Sequence, residues 1–169
     1  MPTKNTFTSV GILGFGAFGR LIARHLHRHF RIVACDPGVP DANIRAAHAD
    51  AGGLSDVGAC DIVILAVPVT SLTLAIRQIR PFLRPGCLVI DVGSVKVSPA
   101  RVMLAELPPD VEILGTHPLF GPQSAHDGIA GRKIAICPLR CRSTRRVAAF
   151  LHKALGLDVH VTTPEEHDR

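Results

Sequence analysis

Tryptophan and tyrosine are missing from this 169-residue chain, and aromatic residues of any kind make up only 4% of it. Little is therefore available for stacking on nucleic-acid bases. The formal charge of +5 does not reverse that conclusion. Its one dense basic cluster, Arg140, Arg142, Arg145 and Arg146, has the spacing of a solvated loop and helix start, so no nucleic-acid partner is expected. A mildly basic surface suits anionic small molecules instead. Long apolar runs are lacking too. The longest, Asp61 to Val69 and Cys87 to Val92, fall far short of the roughly 20 residues that span a bilayer, and no membrane association is expected. No charged-then-apolar leader opens the chain: Met1-Pro2-Thr3-Lys4-Asn5 runs into a strand-like segment and is too short for a transit peptide. The five cysteines, at 35, 60, 87, 137 and 141, are odd in number and include no Cys-x-x-Cys pair. They argue against a disulfide framework, and no further ligands stand near Cys137 and Cys141 to complete a metal site. Free thiols fit a reducing cytoplasm, the expected location.

What is present is globular. A hydrophobic share of 47% against 20% charged residues, with no repeat and no low-complexity linker, fits one domain with a sizeable core. Apolar runs alternate with helix-period stretches. Strands are expected at 8–13, 31–36, 61–67, 87–92, 111–115, 133–137 and 157–161. Helices are expected at 17–29, 71–82, 98–107 and 143–155, with a short one in 44–51. Ser98 reads as the N-cap of the third long helix and Pro99 as its first residue. The nearly unbroken apolar strands suit a parallel sheet covered on both faces. The rhythm predicts an α/β fold: a doubly wound, Rossmann-type, mostly parallel sheet.

Gly14-Phe15-Gly16-Ala17-Phe18-Gly19 is a G-x-G-x-x-G between a predicted strand and a predicted helix, the context that gives the pattern meaning. Gly14 would permit the tight turn, Gly16 the approach of a pyrophosphate to the backbone, and Gly19 close helix–strand packing. The helix N-terminus would add amide donors and a positive dipole end. Asp36, 17 positions beyond Gly19, closes the second strand where an acidic residue accepts hydrogen bonds from ribose hydroxyls. Its charge would repel a 2′-phosphate and no Arg follows at once, so NAD is the expected cofactor and NADP is disfavoured. Ala66-Val67-Pro68 and Val92-Gly93-Ser94 end two further strands and should line the cofactor trough, with Ser94 nearer the reacting ring.

Asp91-Val92-Gly93-Ser94-Val95-Lys96, followed by Gly115-Thr116-His117-Pro118-Leu119-Phe120-Gly121-Pro122, narrows the reading. With these two motifs the chain resembles the prephenate and arogenate dehydrogenase family of tyrosine biosynthesis, from about Val10 to Arg169. Members pair an Asp-x-x-Ser-Val-Lys strand end with a His-Pro-Met-Phe-Gly-Pro-like loop. The resemblance implies an NAD-dependent oxidative decarboxylation of prephenate or arogenate, both cyclohexadienes bearing a ring hydroxyl and a quaternary carboxylate. It implies that His117 hydrogen-bonds the ring hydroxyl and that Ser94 supports that contact. A neutral imidazole, with an ordinary pKa of about 6.5, is chemically suited to accept from a hydroxyl. Lys96 is a candidate for a substrate or structural role, against a merely solvated lysine. Gln123 stands where relatives often carry an acid, so it is a candidate for recognising the substrate side chain, and a neutral residue leaves prephenate and arogenate both open.

Length is the larger departure. The resemblance implies a helical C-terminal domain that dimerises and holds the substrate carboxylates. Residues 1–163 read as the NAD-binding domain and 164–169 as the truncated start of a helical segment, so the chain is expected to supply the cofactor half of a site. A homodimer or a separate helical partner domain would complete it. Two alternatives stay open: an NAD-binding sensor or regulatory module, and a β-hydroxyacid dehydrogenase-like oxidoreductase.

Overall fold

The computed structural model describes residues 6–169. Met1 to Asn5, on which the expectation of no leader rests, lie outside them. Eight strands form one sheet: β1 (Ser9–Leu13), β2 (Arg31–Cys35), β3 (Asp50–Ala51), β4 (Ile62–Leu65), β5 (Leu88–Asp91), β6 (Glu112–Pro118), β7 (Lys133–Arg140) and β8 (Asp158–Val161). Their order is β3-β2-β1-β4-β5-β6-β7-β8, and every pairing is parallel except the antiparallel β6–β7. The expected doubly wound, mostly parallel sheet is present. Its order reverses between β1 and β4, the switch point at whose carboxyl edge such sheets open a crevice.

Helices cover both faces: α1 (Ala17–Leu26), α2 (Asp41–Ala46), α3 (Leu54–Gly58), α4 (Leu72–Ile79), α5 (Val97–Glu106), α6 (Thr144–Lys153) and the single turn α7 (Pro164–His167). One core layer joins Ile12, Ile64, Ile90, Leu114 and Ile136 of the sheet to Leu21 of α1 and Ile44 of α2. The other joins Val63, Val89 and Ile113 to Val57 of α3, Ile76 of α4 and Met103 of α5. Side chains of one strand thus alternate between layers, as the pleat requires.

Four expectations change. The helix expected within 44–51 is displaced to α2, after which His48 turns the chain at φ 66° into the two-residue β3. The Gly- and Ser-containing α3 is absent from the sequence reading because its local propensity is weak. Packing stabilises it: a Cβ on Gly11 of β1 would lie 2.5 Å from the Val57 carbonyl oxygen, so glycine in the strand admits the helix. The long helix expected at 98–107 begins at Val97, and Ser98 is not its cap. Its first amides are satisfied from elsewhere in the chain, as described below. Finally, β6 runs on through His117 and Pro118, which pair with Ala135 and Ile134 of β7. The motif histidine therefore sits on a strand end rather than in a loop.

At the carboxyl end of β5, Asp91 and Lys96 form a buried ion pair, their side chains 4% and 1% exposed. The reading of Lys96 as a solvated lysine does not hold. Gly115 of β6 makes room, since a Cβ there would come within 3.3 Å of both Asp91 Oδ1 and Lys96 Cδ. The Gly93 N–H donates to Asp91 Oδ2, and the Thr116 hydroxyl donates to the Asp91 carbonyl oxygen at 2.7 Å. Burial pushes the Asp91 carboxyl up, against the pull of the Lys96 ammonium. Removing one member of such a pair strands the other charge. Lys96→Met is expected to destabilise the chain by about 3–5 kcal/mol, read as a lower urea midpoint, with most of the loss regained in Asp91→Leu/Lys96→Met. A loss below about 1 kcal/mol, the range of exposed pairs, would contradict this.

Candidate functional site

The turn between β1 and α1 lies at the switch point. Gly14 adopts φ +90°, and a Cβ there would sit 2.5 Å from the Ala66 carbonyl oxygen at the end of β4. Ala66 donates its N–H back to the Leu13 carbonyl, so the turn is clamped to β4. A Cβ on Gly19 would lie 2.6 Å from the Gly14 carbonyl oxygen, which sets how closely α1 packs on the turn. Gly16 is different. Its φ of −72° suits any residue, and a Cβ there would meet nothing within 4 Å. Neither backbone strain nor internal packing accounts for glycine at this position. Room for a group laid against the backbone does account for it, so the turn fits the pyrophosphate of a dinucleotide. As the N-cap of α1, Gly16 has no side chain with which to cap, leaving the first-turn amides of Ala17, Phe18 and Gly19 to an outside acceptor.

Asp36 follows β2 directly and bonds this turn: its Oδ2 accepts from the Phe15 N–H at 2.7 Å and its Oδ1 from the Gly38 N–H at 2.8 Å. Each oxygen keeps a lone pair for a further donor. The Phe15 amide is thereby spent inside the protein. Neither phenylalanine of the motif offers its ring to the crevice: Phe15 is fully buried, and Phe18 lines an apolar cavity of about 600 Å³ between α1, α6 and the sheet. Their contribution is backbone alone. Val67 packs beneath Gly14, Pro68 is exposed, and Gly93 follows β5.

The second cluster centres on His117, at the carboxyl end of β6. Its Nδ1 lies 2.9 Å from Nε2 of His167 in α7, the rings edge to face with centroids 5.0 Å apart. His167 Nδ1 in turn lies 2.7 Å from Asp168 Oδ1. The Asp168 carboxylate caps α5, accepting from the Lys96 N–H at 2.9 and 3.0 Å and the Val97 N–H at 2.8 Å. These bonds, with that from His167, hold its carboxyl down at about 2. Burial first, then the neighbouring His167 and Lys96, hold the His117 imidazole below its ordinary 6.5. A neutral ring follows at physiological pH. Among the described residues nothing hydrogen-bonds to His117 Nε2.

The structure thus brings Gly14 to Gly19, Asp36, Ala66 to Pro68, Gly93 and His117 to one edge of the sheet. It does not join Ser94 to His117: Ser94 lies in the exposed bend after β5, and no hydrogen bond links the two among the described residues. Gln123 is exposed beyond β6, with its carbonyl accepting from His126 Nδ1 at 2.9 Å. The Lys96 ammonium is committed to Asp91. His167 and Asp168 went unread as site residues. Their one local signal is the Thr163-x-x-Glu166 capping pattern, in which Thr163 Oγ1 accepts the Glu166 N–H at 3.2 Å and fixes the turn that presents His167.

Residues 22–163 match the family model of the prephenate dehydrogenase nucleotide-binding domain. A probable arogenate/prephenate dehydrogenase of Methanocaldococcus jannaschii is 29% identical, over 98% of this chain and 39% of that protein. Arogenate dehydrogenase 2, chloroplastic, of Arabidopsis thaliana is 31% identical over 76% of this chain and 37% of its own length. The chain therefore spans well under half the length of these relatives. Among solved structures, prephenate dehydrogenase from A. aeolicus in complex with hydroxyphenyl propionate and NAD+ superposes with a TM-score of 0.80. It shares 21% identity, over 98% of this chain and 63% of that one, which speaks to the fold.

The two properties of Gly16 separate in one substitution. Gly16→Ala is expected to leave stability unchanged or raise it by up to about 1 kcal/mol, while weakening dinucleotide binding about tenfold or more by calorimetry, a change of about 1.4 kcal/mol. Unchanged affinity would mean that no ligand backbone passes over this residue.

Proposed function

The chain belongs to the prephenate dehydrogenase family through its nucleotide-binding domain, and on that premise we propose that it supplies the NAD-binding half and the catalytic histidine for oxidative decarboxylation of prephenate or arogenate. The observation that carries the reading is His117: an imidazole held neutral, fixed on a strand end, with Nε2 open, at the same sheet edge as the glycine turn. NAD bound at the turn supplies the acceptor for the hydride of the hydroxyl-bearing carbon, while the electron pair of the breaking carbon–carboxylate bond completes the aromatic ring and carbon dioxide leaves.

The protein's part is binding and orientation. The amides of Ala17, Phe18 and Gly19 receive the pyrophosphate and Gly16 lets it approach. Asp36 accepts from the ribose hydroxyls with its remaining lone pairs, and its charge disfavours a 2′-phosphate; NAD is proposed over NADP for that reason. His117 Nε2 accepts the hydrogen bond of the ring hydroxyl and stabilises the charge that gathers on that oxygen as hydride departs. Ser94, on the exposed bend after β5, steadies the hydroxyl once substrate is bound, and Gln123 faces the substrate side chain. A second chain or a helical partner contributes the cationic groups for the substrate carboxylates.

Incubating the chain, alone and with a helical partner domain, with NAD and each substrate, and following reduced cofactor by absorbance, tests the proposal. Turnover is expected with one of the two, and His117→Asn should lower kcat by about 10²–10⁴-fold with NAD affinity unchanged. NAD binding without turnover of either substrate, in the presence or absence of a helical partner domain, would sink it. The pH profile follows from the depressed pKa of His117. The ring stays an acceptor until it protonates, so the midpoint of the acid-side decline in kcat should lie below pH 6.5. A midpoint above 6.5, or no decline at all, would remove His117 from this role.

A further inference from the structure

His167 and Asp168 do more than cap the start of α5. The Asp168 carboxylate, ionised because the Val97 and Lys96 amides and His167 all donate to it, can only accept hydrogen bonds. The ring nitrogen 2.7 Å from it, His167 Nδ1, must therefore carry a proton. In neutral His167 that leaves Nε2 bare, and Nε2 faces His117 Nδ1 at 2.9 Å. Two nitrogens at that separation share one proton, which must then sit on His117 Nδ1. By the same rule His117 Nε2 is bare, and among the described residues nothing hydrogen-bonds to it.

We propose that His167 and Asp168 are a positioning pair that sets the tautomer of His117, making its Nε2 an acceptor. The inference rests on the reading of His117 as the hydroxyl's acceptor for its functional meaning, but not for its geometry. Each link is anchored. Asp168 is held by the α5 N-terminus, and that helix start is held by the Lys96–Asp91 pair. His167 is presented by the turn capped at Thr163, and His117 by its pairing in β6–β7. An isolated neutral imidazole prefers its proton on Nε2, where it would donate to a hydroxyl oxygen rather than accept from the hydroxyl. The pair reverses that preference. It also gives the ring somewhere to share charge, because a partial proton gained at Nε2 strengthens the donation from Nδ1 toward His167 and, through it, Asp168.

Long-range ¹H–¹⁵N correlation on the ¹⁵N-labelled chain reads the tautomer directly, with the His117 ring assigned by its disappearance in His117→Asn. The expected result, at a pH where the rings are neutral, is an Nδ1–H, Nε2-bare His117. His167→Ala should shift it toward the Nε2–H form, and His167→Gln, whose amide oxygen can still accept from Nδ1, should restore it. Where turnover is measurable, kcat should fall about tenfold or more in His167→Ala with KM little changed, recovering in part in His167→Gln. An Nε2–H ring in the unmodified chain, or an Nδ1–H ring unaltered by His167→Ala, overturns the proposal. Tautomer shifts in a chain that turns over neither substrate would instead fault the functional reading and leave the pair standing.

Discussion

Two opposite charges buried side by side, Asp91 and Lys96, hold together the edge of the sheet on which everything else is arranged. Desolvating them costs much of what their attraction returns, so the pair contributes little net stability and a great deal of geometry. Lys96 is the residue immediately before α5, and Asp91 is the last of β5. Their contact fixes the helix start over the strand end across the tight bend that carries Gly93 and Ser94. The Asp91 carbonyl receives the Thr116 hydroxyl, which keys β6 to the same point one residue before His117. Among the described residues Asp91 Oδ1 has no hydrogen-bond partner of its own. A fully satisfied network would be more comfortable; what this one specifies is a single placement of α5, β5 and β6.

The other half of the site is built by contact rather than by charge. The glycine turn cannot move away from β4, because Gly14 lies against Ala66 and Gly19 lies against Gly14. Asp36 stitches the turn to β2. Three strand ends thus converge at the switch point. Gly16, which nothing among the described residues requires to be small, leaves its backbone open to a group from outside.

Much of this was legible in the sequence, and for a common reason. The cores of β1, β2, β4 and β5 are short apolar runs bounded by turn residues, and their burial on two faces leaves no other reading. The glycine turn is legible because its residues act on their immediate neighbours or on strands of unmistakable pattern. Gly93 and Asp36 fall at strand ends that any parallel sheet aligns, whereas His117, expected in a loop, lies on the end of β6. What stayed hidden depends on partners distant in the chain. Ser98 looks like a cap because Ser before Pro commonly is one, yet the cap comes from Asp168, 71 residues beyond Val97. The α3 turn looks like a loop because its stabilisation lies in the missing side chain of Gly11, a strand residue. Lys96 is the exception: its partner Asp91 is only five residues away, yet the sequence left it open between a solvated and a structural role, and only the fold shows the pair buried.

The same distance explains how His167 and Asp168 can matter to a site fifty positions earlier. Asp168 offers one carboxylate to three demands: the open amides of α5, the ring of His167, and through that ring the orientation of His117. A helix N-terminus favours an anion, and an anion beside an imidazole fixes which nitrogen holds its proton. Satisfying the helix therefore settles the protonation of a histidine two links away, with no extra residue assigned to the task. The Lys96–Asp91 pair keeps the helix start in register with β5 and β6, so helix cap and strand end reach the same place. A capping interaction of ordinary strength, repeated through two rings, is enough to convert the packing of α5 into the acceptor character of His117.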